Sequence, residues 1–234
     1  MYSMYNGDYV SAVIPAAGVG TRMKTKAKKQ YIVVNGKEIL EWTLRHLAEE
    51  KVIDEFIVVV GEAECREAER KIKTWIPSEK VKVIAGGETR YESVKAGLSA
   101  CAAMSAYVFI HDGVRPFVQG VWLKEMLQML DFELLDGVAV GQPMINTVKR
   151  ANQDGIIVEH VDRSDLWMIE TPQLFRTPDI ISAYQQSETD GIKITDDTQL
   201  MTARGKKIKL MSHGGRNDKI TTHAELALAE AFLK

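Results

Sequence analysis

The sequence predicts an α/β domain, a mostly parallel sheet with helices on both faces. Three observations predict it. Short apolar runs alternate with amphipathic segments up to about residue 143, the pattern of strands joined by crossover helices. The runs are rich in Val and Ile and lack polar alternation, as in strands covered on both faces. Three polar clusters, the opening loop with "AAGVG", then "AGGETR" and "HDGVRPF", each follow such a run. Ligands in parallel sheets sit there, beyond the carboxyl ends of the strands.

Each element has its own signal. "SAVIPA" (11–16) is a buried strand running into a glycine turn. In 38–50, Ile39, Leu40, Trp42, Thr43, Leu44 and Leu47 fall near one face at helical spacing. "EFIVVV" (55–60) is a strand, and the charge-rich 62–76 is a helix closed by Pro77. Strand 81–87 enters a Gly86–Gly87 turn, helix 92–103 follows, and strand 107–112 ends in polar groups. Helix 121–130 and strand 136–143 complete the alternation. The pattern then changes. Two β-like runs, "NTVKRA" and "GIIVEHVD", flank Asp154–Gly155, which is a hairpin signal. A hairpin interrupting an α/β domain projects as an arm. Three helices or part-helices and one strand (206–212) finish the chain.

Bulk numbers narrow the function classes. The 234 residues carry a net charge of −2, with 26% charged and 45% hydrophobic residues. That balance argues against general nucleic-acid binding. No apolar run approaches the roughly 20 residues of a membrane span. The N-terminus lacks the basic-then-apolar pattern of a signal peptide, so the expected location is cytoplasmic. Cys65 and Cys101 lack metal-type spacing and read as free thiols.

The opening loop needs its own account. Gly18-Val19-Gly20 resembles the start of a dinucleotide fingerprint, but the third glycine position is Met23 and no acid follows at the end of a second strand. A P-loop is excluded, since no G-x-x-x-x-G-K-[ST] is present. What remains is a glycine turn able to aim backbone N–H groups at an anion, then five cations: Arg22, Lys24, Lys26, Lys28 and Lys29. Lys24, Lys26 and Lys28 read as a solvated loop. Arg22 follows the turn directly and Lys29 marks the return to structure. Cations so placed suit a triphosphate approached by a second phosphate.

Taken together, "PAAGVGTRM", "KKQY", "GGETRYESVKAGL", "HDGVRPF", "NTVKR", "DRSDLW", "TPQLF", "ITDD" and "KITTHAELALAE" resemble the 2-C-methyl-D-erythritol 4-phosphate cytidylyltransferases from about residue 10 to 233. The resemblance implies a single Rossmann-like nucleotidyltransferase domain over 1–234, of the nucleotide-diphospho-sugar transferase type. It implies a β-arm at about 145–165 that builds a homodimer, Mg²⁺ dependence, and CTP and a polyol phosphate as substrates, with release of pyrophosphate.

It also implies roles. Arg22 and Lys29 contact the CTP phosphates. Pro15, Ala16, Ala17, Gly18 and Gly20 form the nucleotide turn, and Gly87, Arg90 and Ser93 meet the nucleotide from the second cluster. Asp112 binds nucleotide and Mg²⁺. Thr147 and Arg163 grip the polyol phosphate in the partner's site, and Lys219 faces the phosphates. Bland readings stand beside these: Ser93 as part of the first helical turn, Asp112 and Arg115 as a turn salt bridge, Arg163 as a solvated hairpin residue. His111 reads as a packed strand-end residue, and Asp196–Asp197 as a helix N-cap. Asp218 stands where the family more often has an apolar residue, and is expected to pair with Lys219. The rivals are a ribitol-5-phosphate cytidylyltransferase, a non-catalytic nucleotide-binding regulator and a nicotinamide-dependent oxidoreductase.

Overall fold

The computed structural model describes residues 5–18, 28–187 and 194–234. Its frame is a seven-stranded sheet in the order β11-β7-β10-β6-β1-β4-β5. The strands are β1 (Tyr9–Pro15), β4 (Glu55–Val60), β5 (Val81–Ala85), β6 (Ser105–Ile110), β7 (Gly137–Pro143), β10 (Trp167–Arg176) and β11 (Ile208–Ser212). Among them only β10 runs antiparallel to its neighbours, pairing β6 on one side and β7 on the other. The expected parallel sheet is therefore present, with one strand reversed. β10 was not expected as a strand. Its apolar alternation is broken by Pro172, which sits at a register shift between Ile169 and Gln173, one of the few places a strand accepts proline.

Alternation along β1 sends side chains to two cores. Val10, Ala12 and Ile14 point to one face, with helices α1 (Ile39–Ala48), α2 (Cys65–Trp75) and α4 (Gly120–Phe132). Val13 points to the other, with α3 (Arg90–Ser99), α5 (Thr177–Ser187) and α6 (Asp197–Thr202). Helices thus cover both faces. Burying each large aliphatic side chain contributes roughly 1.5–3 kcal/mol.

Helix α1 serves two clusters at once. Leu40, Leu44 and Leu47 enter the sheet core, while Ile39 and Trp42 join a third cluster with Val34, Val114, Ile220 and Ala229 of α7 (His223–Phe232). Val34 lies in a small hairpin, β2 (Val33–Val34) and β3 (Lys37–Glu38), which was not anticipated. Its turn is Asn35–Gly36, both at positive φ (47° and 84°), as a two-residue hairpin loop demands. Asn35 Nδ2 also donates to the carbonyls of Glu230 and Leu233, which ties down the C-terminal helix.

The arm is β8 (Val148–Ala151) and β9 (Ile157–Val161). Asn152 Oδ1 accepts from the N–H groups of Asp154 and Ile156, shaping the turn at Gly155. Both strands are largely exposed, and Ile145, Ile156, Ile157 and Val158 present apolar side chains to solvent. The chain rejoins the main sheet at Trp167, so the arm is confined to the expected region. Among the described residues no helix is long and apolar enough to cross a membrane.

Candidate active site

The pocket lies where the fold places it, at the carboxyl ends of β1, β5 and β6. Its walls are Pro15, Ala16, Ala17, Gly18, Lys29, Gln30, Gly87, Glu88, Thr89, Arg90, Ser93, Asp112, Val114 and Lys219. Ten of the residues assigned from the sequence are therefore brought together: Pro15, Ala16, Ala17, Gly18, Lys29, Gly87, Arg90, Ser93, Asp112 and Lys219. Gly20 and Arg22, with Lys24 and Lys26, lie outside the described residues. Thr147 and Arg163 do not line this pocket. Thr147 is exposed before β8, and the Arg163 guanidinium donates to the carbonyl of Ile145 at the base of the arm.

Local packing explains each wall. After β1, Ala16 N–H donates to Val59 O at 2.7 Å, extending the ladder one residue past the strand. Gln30 is buried; its Nε2 donates to Ala16 O at 2.7 Å, while Oε1 has no partner among the described residues. The second cluster turns at Gly86. A Cβ there would lie 2.6 Å from Ser93 Oγ and 2.8 Å from Ala17 Cβ. Glycine is thus needed to seat Ser93 beside the first turn. Helix α3 then starts with a capping box between Thr89 and Glu92, which fixes Arg90 at the first helical position.

Asp112 is the electrostatic hub. Its Oδ1 accepts from Arg90 Nε at 3.0 Å, and its Oδ2 lies 2.8 Å from Lys219 Nζ and 3.6 Å from Arg115 Nε. Burial alone would push this carboxyl up. The charges of Arg90, Lys219 and Arg115 override that and hold it well below the ordinary carboxylate range. The expected turn salt bridge with Arg115 is thus present, in a side chain that also lines the pocket.

The rest of Arg90 faces Asp197. Nη1 and Nη2 bind Oδ1 and Oδ2 at 3.0 and 2.8 Å, a bidentate fork on a fully buried carboxylate. Tyr184 donates its hydroxyl to the same carboxylate at 2.5 Å. Burial opposes the Arg90 charge, and the two acids more than restore it. The expectation for "ITDD" needs dividing. Asp196 is the N-cap of α6, accepting from Gln199 N–H at 3.2 Å, but Asp197 is the buried counterion of Arg90. Nothing in the local pattern separates the two acids; burial does.

His111 is fully packed, as expected. Asp112 N–H donates to Thr171 Oγ1, that hydroxyl donates to His111 Nδ1, and Nε2–H donates to Arg115 O. Only this direction satisfies all three contacts. Burial pushes the imidazole down to about 4, so it is neutral near pH 7. Two expectations for cations are corrected. Lys28 is not a solvated loop residue: it is half-buried and paired with Glu64. Asp218 pairs with Arg216 at 3.0 Å, leaving Lys219 to Asp112. Sequence reasoning missed Gln30, Glu170 and Asn217, and it gave Asp197 the role of a helix cap instead of a counterion.

The sequence profile described as IspD: 2-C-methyl-D-erythritol 4-phosphate cytidylyltransferase matches residues 10–234. The chain belongs to that family. A cytidylyltransferase of this name from Clostridium acetobutylicum is 37% identical over 224 residues, covering 95% of this chain and 96% of that protein. One from Syntrophus aciditrophicus is 36% identical over 227 residues, covering 96% of each. Among solved structures, the 4-diphosphocytidyl-2C-methyl-D-erythritol synthase of Anaerococcus prevotii superposes with a TM-score of 0.83 at 29% identity, over 97% of this chain and 99% of that one. The cytidylyltransferase of Francisella tularensis gives 0.80 at 26% identity, over 96% and 99%. The match runs from residue 10 to 234, so the cytidylyltransferase family accounts for nearly the whole chain rather than for one motif.

Proposed function

We propose that the chain joins CTP and 2-C-methyl-D-erythritol 4-phosphate to give 4-diphosphocytidyl-2-C-methyl-D-erythritol and pyrophosphate. The observation that carries this reading is the convergence of the 16–18 backbone turn, Lys29 and Lys219 on one pocket around the buried Asp112. A phosphate oxygen of the polyol phosphate attacks the α-phosphorus in line. A new P–O bond forms, the bond to the β-phosphate breaks, and pyrophosphate leaves. Such transfer depends on positioning and charge neutralisation. Lys29 and Lys219, with Arg22, supply the positive charge. An ionised phosphate has no proton to give up, so no base is required, and the neutral, fully bonded His111 serves as framework.

The donor set suits Mg²⁺, which takes hard oxygens and needs only one or two protein carboxylates beside substrate phosphates. Asp112 is the buried acid of the pocket and Glu88 an exposed one. Each Asp112 oxygen holds close cationic contacts on only part of its lone-pair capacity. Asp112 would hold the ion, and when bound the ion neutralises charge on the triphosphate. Among the described residues no group of three or more His, Cys, Asp or Glu side chains forms a protein-only cage.

The arm's apolar Ile145, Ile156, Ile157 and Val158 support a homodimer in which Thr147 and Arg163 reach the partner's polyol phosphate. The two free cysteines accord with a cytoplasmic enzyme. Pyrophosphate release with CTP and a panel of polyol phosphates tests the reading. Turnover is expected with methylerythritol phosphate and CTP, and much less with UTP, because polar groups placed for an aminopyrimidine go unpaired on the oxo form. Preference for ribitol 5-phosphate would move the assignment to the sister enzyme, and binding of CTP without turnover to a regulator.

A further inference from the structure

We propose that Glu170 is a positioning residue: its side chain fastens the loop that carries Lys219 to strand β10, and so keeps the lysine ammonium on Asp112. The inference rests on the cytidylyltransferase reading for what Lys219 does once it is in place.

Lys219 lies between β11 and α7, in a stretch (213–222) with neither helix nor strand. A long cationic side chain on such a stretch has much conformational entropy to lose before it can hold one position. The loop is nonetheless fixed at three points. Ile220 is fully buried, and its N–H donates to Val114 O at 2.9 Å. Glu170 makes the other two: its Oε2 lies 2.9 Å from His213 Nε2 and accepts from Asn217 Nδ2 at 2.8 Å. Asn217 Nδ2 also donates to Thr171 O at 2.8 Å, so two acceptors fix which way its amide faces. The backbone carbonyl of Asn217 accepts from Arg115 Nη1 at 2.7 Å, which joins the loop to another cation on Asp112. His213 is held further by the Trp122 ring at 4.4 Å and by Gln142 Nε2 on its carbonyl at 2.6 Å. Lys219 therefore sits between an anchor at 217 and an anchor at 220.

The chemistry of Glu170 accords with that role. A mostly buried carboxylate in a strand requires compensation. Here the hydrogen bonds come from two residues of the Lys219 loop. Burial pushes the carboxyl up, and the contacts from His213 and Asn217, with the nearby Arg115 charge, bring it below its ordinary value. The side chain lies at the register shift of β10, where pairing with β7 is interrupted, so it is free to serve the loop. β10 begins directly beyond the arm, so the loop is tied to the strand that the arm feeds.

A double-mutant cycle tests this. Wild type, Glu170→Ala, Lys219→Ala and the double variant are assayed for pyrophosphate release, with circular dichroism and urea midpoints confirming the fold. Glu170→Ala is expected to lower kcat about tenfold while changing KM for CTP less than about threefold, and to add nothing in the Lys219→Ala background. Glu170→Gln, which keeps an acceptor of the same shape, should restore most of the rate. A second readout needs no turnover. Acetylation of Lys219, followed by mass spectrometry, should be several-fold faster in Glu170→Ala than in wild type, with other lysines unchanged. Additive losses in the cycle, or unchanged Lys219 labelling, overturn the proposal. Should Glu170→Ala not fold, Asn217→Ala removes the Glu170 contact nearest Lys219 and carries both measurements. A wild type that releases no pyrophosphate refutes the cytidylyltransferase reading, while the labelling still decides the positioning.

Discussion

Lys219 Nζ lies 2.8 Å from Asp112 Oδ2, and the two residues are 107 positions apart in the chain. The pair closes a cluster in which one buried carboxylate meets Arg90, Arg115 and Lys219. A triphosphate entering the pocket meets cations already gathered around a single acid, so little reorganisation is needed when charge develops.

Removing that acid has a predictable cost. Asp112→Asn leaves three cations facing a neutral group, and breaking a buried pair costs about 3–5 kcal/mol. The folded carboxyl titrates below its unfolded value, so its contribution is complete above the ordinary carboxylate range and is lost only as pH falls through the folded value. The stability gap between wild type and Asp112→Asn, from urea unfolding, should therefore be the same at pH 5 and pH 8. A gap that closes by pH 5 contradicts this account.

His111 gives the opposite slope. Its folded value is pushed down to about 4 by burial, whereas an unfolded imidazole titrates near 6.5. Between those values the unfolded chain binds the extra proton, so stability falls as pH drops. From pH 7 to pH 4.5 the loss assigned to this residue is about 2–3 kcal/mol. His111→Asn should be less stable at pH 7 but show a shallower fall on acidification. An unchanged slope would mean that another group carries the pH dependence.

The adjacent acids of α6 separate a cap from a counterion. Asp196→Ala removes one N-cap contact and should cost about 1 kcal/mol. Asp197→Ala strips both hydrogen bonds from the Arg90 fork and the partner of Tyr184, and should cost about 3–5 kcal/mol. Thermal unfolding of the two variants makes the comparison. Equal losses would mean that the Arg90–Asp197 pair contributes little.

The arm makes a demand on assembly. Arg163 lies outside the pocket formed by its own chain, and the proposal gives it to the partner's. Arg163→Ala should raise KM for the polyol phosphate and leave CTP binding nearly unchanged. Mixing Arg163→Ala and Arg22→Ala proteins under subunit exchange, assayed at polyol phosphate concentrations where each alone is impaired, should recover activity, since one site of the heterodimer then has neither lesion. No recovery after verified exchange removes the in-trans arrangement.

Much of this was legible in the sequence because it depends on local pattern. The Val/Ile run at 55–60 has every residue buried in β4, as a strand covered on both faces must. Asp154–Gly155 turns the arm hairpin because a glycine there accepts φ of 80°. Asn35–Gly36 carried the same signal and went unread, since the flanking strands have only two residues each.

The sequence by itself determined the α/β alternation, the three polar clusters at strand ends and the arm, because hydrophobic period and turn chemistry are properties of neighbouring residues. The resemblance of their motifs also assigned Lys29, Asp112 and Lys219 to one site, and the three line one pocket. Only the tertiary structure decided that β10 enters the sheet reversed, that Asp197 rather than Asp196 faces Arg90, and that Glu170 and Asn217 hold the Lys219 loop. Those outcomes rest on which polar groups lose water together. A buried carboxylate is bound to find donors wherever the fold brings them, 107 residues away for Arg90 and Asp197 and 47 for Glu170 and Asn217.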